Sequence, residues 1–175
     1  MKIAVRKFWL VLAICGLFQT INAKQCEEQI DFKFDDRQWE KGYEASTAEG
    51  SIVEYTLKGE NVHNWTELVS VQSVPLAAVS MDDYYTYFMD GIKKAAQPAD
   101  AQSRIINKTK DSIFFEWWIA ANSPLAQHEW FRLFKTPASF MIIRYTTKKL
   151  DDVNKAKPIW EKILNDATVK EINCK

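Results

Sequence analysis

Hydrophobic residues are spaced differently in different parts of this chain. From Asp82 to Gln97, Tyr84, Phe88, Ile92 and Ala95 recur at intervals of three or four, which predicts an amphipathic helix. Ser80, three residues before Asp83, supplies its N-terminal cap, and "PAD" at 98–100 ends it. Val153, Ala156, Trp160, Ile163 and Ala167 trace a second helix of the same period, with Pro158 either kinking it or starting its second half. Elsewhere the apolar runs are shorter and rich in β-branched and aromatic residues. They predict strands at 51–57 ("SIVEYTL"), at 66–75 ("TELVSVQSVP"), and at about 102–109, 112–121, 127–135 and 139–147. Residues 27–46 mix acids with aromatics and predict one strand or a short turn. The order β-β-α-β-β-β-β-α, with helices segregated from strands, is that of an α+β domain built on a mostly antiparallel sheet.

The turns between the last four strands are short, so those strands form an antiparallel meander. Side chains alternate across a strand, so the parity of the numbering sorts them onto two faces. With a five-residue loop at 122–126, Glu116 faces Arg132 and Trp118 faces Trp130. With a three-residue loop before 139, Trp130 faces Arg144 and Phe134 faces Phe140. One face then carries Ile113, Phe115, Trp117, Ile119, Phe131, Leu133, Met141, Ile143 and Tyr145, with Glu129 near its edge. It is the expected main core. The other carries Phe114, Glu116, Trp118, His128, Trp130, Arg132, Phe134, Phe140, Ile142 and Arg144. Its mixture of rings and charges suits either a second helix layer or a ligand surface.

Charge and cysteines change the picture at the chain's ends. Residues 1–23 have the form of a secretory signal peptide: a basic start at Lys2, Arg6 and Lys7, an apolar stretch from Phe8 to Phe18, and a cleavage point after Ala23. The apolar stretch is about 11 residues, too short for a membrane span. A lipoprotein signal at "LAIC" is disfavoured by Ile14 in a position where a small residue is expected. The full chain has 23 basic and 23 acidic residues. Cleavage removes three basic residues and no acid, so the mature chain carries about three negative charges and has no basic excess to attract nucleic acid. Residues 24–175 are expected to form a single domain in a secreted or periplasmic location, with no transmembrane segment after signal removal. Cys26 and Cys174 survive cleavage in an oxidising compartment and are expected to form a disulfide between the termini. Closing a loop of about 147 residues stabilises by at most roughly 5 kcal/mol in the chain-entropy model.

Catalytic motifs are scarce. There is no G-x-G-x-x-G, no P-loop and no G-x-S-x-G, so no cofactor is expected and no catalytic residue is assigned. His63 and His128 are two isolated histidines, not a metal-ligand set. The residues with recognition chemistry are Glu116, Trp118, His128, Trp130, Arg132 and Arg144. Arg and Trp dominate binding surfaces, and two arginines suit an anionic group with a carboxylate holding one of them in place. The same set also reads as a structural ion pair, Glu116 to Arg132, across neighbouring strands.

Four stretches carry a family resemblance: "GENVHNWTELVSVQ" (59–72), "EWFRLFK" (129–135), "IIRYTTK" (142–148) and the last helix with Trp160. Over about residues 50–167 the chain resembles small exported bacterial proteins of unassigned function, and its element order is similar to the PsbP/Mog1/DcrB-like fold family. That fold family includes a photosystem subunit, a GTPase-binding protein and bacterial envelope proteins. The resemblance implies an α/β/α sandwich and a binding role, with a protein or small ligand as partner, but no reaction. The competing expectations are a hydrolase whose site is assembled from distant residues, and a structural subunit of an envelope complex.

Overall fold

The structure, a computed structural model, describes residues 27–75 and 79–172. The expected signal peptide and both cysteines of the expected disulfide lie outside these residues. Seven strands form one antiparallel sheet: β2 (Trp39–Thr47), β3 (Gly50–Leu57), β4 (Glu67–Pro75), β5 (Ala101–Lys108), β6 (Ser112–Ile119), β7 (Gln127–Lys135) and β8 (Ser139–Thr147). Their spatial order is β2-β3-β4-β8-β7-β6-β5. β1 (Glu27–Asp31) pairs separately with β9 (Thr168–Ile172), also antiparallel. Helix α1 (Met81–Ala96) follows β4, and α2 (Val153–Asp166) follows β8 after a short 3-10 turn. The expected mostly antiparallel α+β architecture is observed. The stretch 27–46 holds two strands rather than one, and β9 follows the last helix where no strand was expected.

Helix α1 starts as the sequence dictates. Ser80 accepts a hydrogen bond from the Asp83 backbone N–H at 3.1 Å, satisfying one of the donors a helix start leaves open. The helix lays Tyr84, Phe88 and Ile92 on a core of Ile113, Phe115, Trp117, Ile119, Phe131 and Leu133. On the opposite face, α2 and β1 enclose a second core containing Phe114, Trp130, Ile143, Tyr145, Trp160 and Leu164. Pro158 sits inside α2 without ending it.

The face assignment holds for β6 and β7 but fails for β8. β6 and β7 pair with Glu116 opposite Trp130 and Phe114 opposite Arg132. This is two residues from the expected register, so parity survives. β7 and β8 turn more tightly than expected. The Thr136 N–H bonds to the Ser139 carbonyl at 2.9 Å, leaving only Pro137 and Ala138 in the loop. Trp130 therefore faces Tyr145, not Arg144. A one-residue slip sends a whole strand to the other face. Met141, Ile143 and Tyr145 lie under α2, while Phe140 and Ile142 join the α1 core.

Gly50 makes the β2–β3 turn with φ of +134°, a region that side chains rarely adopt. A Cβ added there would lie 2.1 Å from the Ser73 carbonyl oxygen on β4. Gly50→Ala is expected to lower stability by more than about 2 kcal/mol, since it combines backbone strain with a clash against a neighbouring strand. Urea unfolding followed by tryptophan fluorescence measures the loss; a change under about 0.5 kcal/mol would refute this account of the turn.

Candidate functional site

Helix α2 brings the site together. Its buried residues Trp160 and Leu164, flanked by Val153, Ala156 and Ile163, face the sheet at helical spacing. Trp160 stacks on Tyr145 with ring centroids 4.1 Å apart and planes at 6°. The stack continues through Tyr145 to Trp130 at 5.8 Å, Trp130 to His128 at 4.2 Å, and His128 to Trp118 at 5.6 Å. In the other direction Trp160 meets the edge of Trp39 at 5.6 Å. Each such contact stabilises by about 0.5–1.5 kcal/mol beyond area burial. A buried carboxylate stands toward each end of this ladder.

The first is Glu116, 3% exposed. Its cross-strand partner is Arg104 on the edge strand β5, directly opposite it in register and ion-paired to it. Lys157 from α2 approaches at 3.4 Å. His128 donates from Nε2 to Glu116 Oε2 at 3.0 Å; a carboxylate can only accept, which fixes the tautomer. Burial alone would raise the Glu116 carboxyl. The hydrogen bond from His128 and the charges of Lys157 and Arg104 outweigh it and hold the group below its ordinary value. Burial pushes His128 down, with smaller help from Lys157 and Arg104, against the opposing pull of Glu116.

The second is Glu67 at the start of β4, also 3% exposed. It accepts from the Tyr145 hydroxyl and from Lys149 Nζ at 3.0 Å, and it ion-pairs with Arg37. Burial alone would raise its carboxyl; these three donors hold it below the ordinary range. Burial and the Glu67 carboxylate push the Tyr145 hydroxyl well above its usual value. Asp35 steadies Arg37, accepting from its Nε at 2.9 Å and from Trp39 Nε1 at 2.9 Å. Above this network opens a cleft of about 350 Å³, bounded by Arg37, Lys149, Tyr145 and, from α2, Lys155, Ile159 and Trp160.

The sequence-predicted residues are thus only partly gathered. Glu116, Trp118, His128 and Trp130 meet. Arg132 does not pair with Glu116; it reaches Asn165 at 3.3 Å and Ser112 at 3.4 Å and lies over the Phe114 and Phe134 rings. Arg144 is on the α1 side of the sheet, over Phe131, so the two arginines cannot share one anion. Trp130 and Glu116 are buried, and the mixed face is largely covered by α2 rather than open. Glu67, Arg37, Lys149 and Lys155 were not singled out, because no short motif links residues from four separate segments. Among the described residues no group of three His, Cys, Asp or Glu could hold a metal ion, and no helix is long and apolar enough to cross a membrane.

Among solved structures, the fold is similar to that of cyanobacterial PsbP (CyanoP) from Synechocystis sp. PCC 6803. The TM-score is 0.57 at 12% identity, over 89% of this chain and 99% of that one. A protein-family profile matches residues 26–173. The chain belongs to that family, whose fold is PsbP-like. No curated protein matches the sequence. At this identity the likeness extends to fold alone.

The depressed histidine makes acid sensitivity testable. His128 binds a proton more weakly folded than unfolded, so its contribution is present above about pH 6.5 and is lost as pH falls from there through its lower folded value. Glu116 acts in the same direction, below about pH 4.5. The urea midpoint is expected to fall between pH 6.5 and 5, and His128→Gln to flatten that segment. An unchanged slope in the variant would assign the acid sensitivity elsewhere.

Proposed function

We propose that this chain is an exported binding domain, an α/β/α sandwich in a secreted or periplasmic location, with its ligand site in the cleft beside Glu67. Export rests on the Lys2–Ala23 signal pattern. The binding role rests on one observation: the cleft of about 350 Å³ has an aromatic floor, Tyr145 on Trp160, and charged walls oriented by a buried carboxylate. Its size falls within the range of small-ligand sites, and a few fixed polar groups on an apolar base are their usual chemistry. The mixed face around Trp118 and His128 serves in this reading as the other anchor of α2, and Arg132 and Arg144 take no part in the site.

The test is native mass spectrometry of the exported protein purified without denaturant. A small-molecule adduct lost on unfolding is expected, as is its loss in Ile159→Trp, which fills the cleft from an exposed helix position. Turnover of ester, peptide or phosphoester substrates that is lost in the same variant would instead make the chain a hydrolase.

Export carries the disulfide with it. Glu27 pairs with Ile172 in the β1–β9 ribbon, so Cys26 and Cys174 flank a register pair in sequence. Non-reducing peptide mapping is expected to find the two linked; free thiols at both positions would sink the bridge.

A further inference from the structure

The cleft's hydrogen-bonding groups are not used evenly. Three carboxylates and three cations line it, so its formal charge is balanced. The acceptors, however, are largely consumed. Glu67 takes Tyr145, Lys149 and Arg37, and Asp35 takes Arg37 and Trp39. Asp152 stands at the rim, held by Lys155 at 2.7 Å. The donors are less committed. Lys149 makes one side-chain bond, to Glu67, and Lys155 makes one, to Asp152, although each ammonium carries three protons. Trp160 lines the cleft fully buried, and its Nε1 has no hydrogen-bond partner among the described residues. That atom is itself closed to solvent, so the donors a ligand can reach are the two ammonium groups.

Apolar surface lies beside these donors. Ile159 is 47% exposed on the α2 side of the cleft, next to Ala156 and Trp160. We propose that the cleft binds a small organic anion, a carboxylate on a short apolar stem, with the carboxylate held by Lys149 and Lys155 and the stem lying on Ile159 and Ala156. This rests on the binding reading above and assigns that site its ligand class. A cationic ligand would meet two ammonium groups with protons to spare and, among the lining acids, only Asp152 with acceptors to spare. A neutral alkyl ligand would leave the donors unmatched.

Hexanoate, 1-hexanol and hexylamine test the assignment, since they share a stem and differ in charge. Each is titrated into the ¹⁵N-labelled exported protein and followed by amide and indole resonances. Hexanoate is expected to move the signals of Lys149, Lys155, Ile159 and the Trp160 indole N–H. It should bind at least about five-fold more tightly than the alcohol or the amine. Lys155→Gln, at an exposed position, should weaken hexanoate about three-fold and leave 1-hexanol unchanged, while Asp152→Asn should tighten hexanoate about two-fold by freeing Lys155. Equal binding of all three, or tighter binding of hexylamine, would overturn the anion assignment while leaving a cleft that binds. Absence of any shift at the cleft with all three would overturn the cleft itself.

Discussion

The stack of Trp160 on Tyr145 is the contact on which the rest of this face depends. Tyr145 stands on β8, one of the middle strands of the sheet, and Trp160 is fully buried under α2. Their planes are almost parallel, so the helix is set in both distance and rotation. A helix fixed at one aromatic residue presents the rest of its side chains at 100° steps. Ala156, Ile159 and Trp160 thereby reach the cleft, while Lys157 and Glu161 fall on the side toward Glu116. The Tyr145 hydroxyl meanwhile donates to Glu67. One residue thus carries the helix on its ring and the polar network on its oxygen, a division of labour that buried tyrosines commonly show.

Burying carboxylates under such a layer is expensive unless they are saturated with donors. Glu67 and Glu116 meet that condition in the same way, each with one partner from the sheet region's own strands or turns and cations reaching in from more exposed positions. Arg104 and Arg37 keep part of their guanidinium groups in solvent, so the protein desolvates one charge of each pair much more than the other. On the α1 side Glu129 is satisfied differently, by Trp117 Nε1 at 2.8 Å and the Thr146 hydroxyl at 2.7 Å. Both of these donors are neutral, and the cation on that side, Arg144, lies over the Phe131 ring instead.

Local signals made much of this fold legible. The Ser80 cap, the two helical stripes and the runs "SIVEYTL" and "SIFFEWWI" announce elements through interactions within a few residues. The face of β8 was not legible, because it turns on whether the hairpin after Lys135 leaves two residues or three outside the ladder. Thr136 decides that by bonding to Ser139 through both backbone and side chain, a detail invisible to hydrophobic pattern. β1 and β9 are short, and each is an edge for the other, so neither carries the continuous apolar run that marks a central strand. Glu116 was recognised as a paired acid, but its partner was misassigned. A two-residue shift between β6 and β7 preserves which face a residue is on and changes whom it meets. The cleft was the least legible feature, since Arg37, Glu67, Lys149 and Lys155 come together only after four elements have docked.

The same helix supplies a wall of the cleft and a ligand to Glu116, so the two carboxylate networks are not mechanically independent. Sliding α2 away from the sheet far enough to widen the cleft would lengthen the Lys157–Glu116 contact, already 3.4 Å, and would unstack Trp160 from Tyr145. Both losses oppose opening. Trp160 and Lys157 thus hold α2 to the sheet at two separate strands, one through a ring stack on β8 and the other through a charge contact on β6.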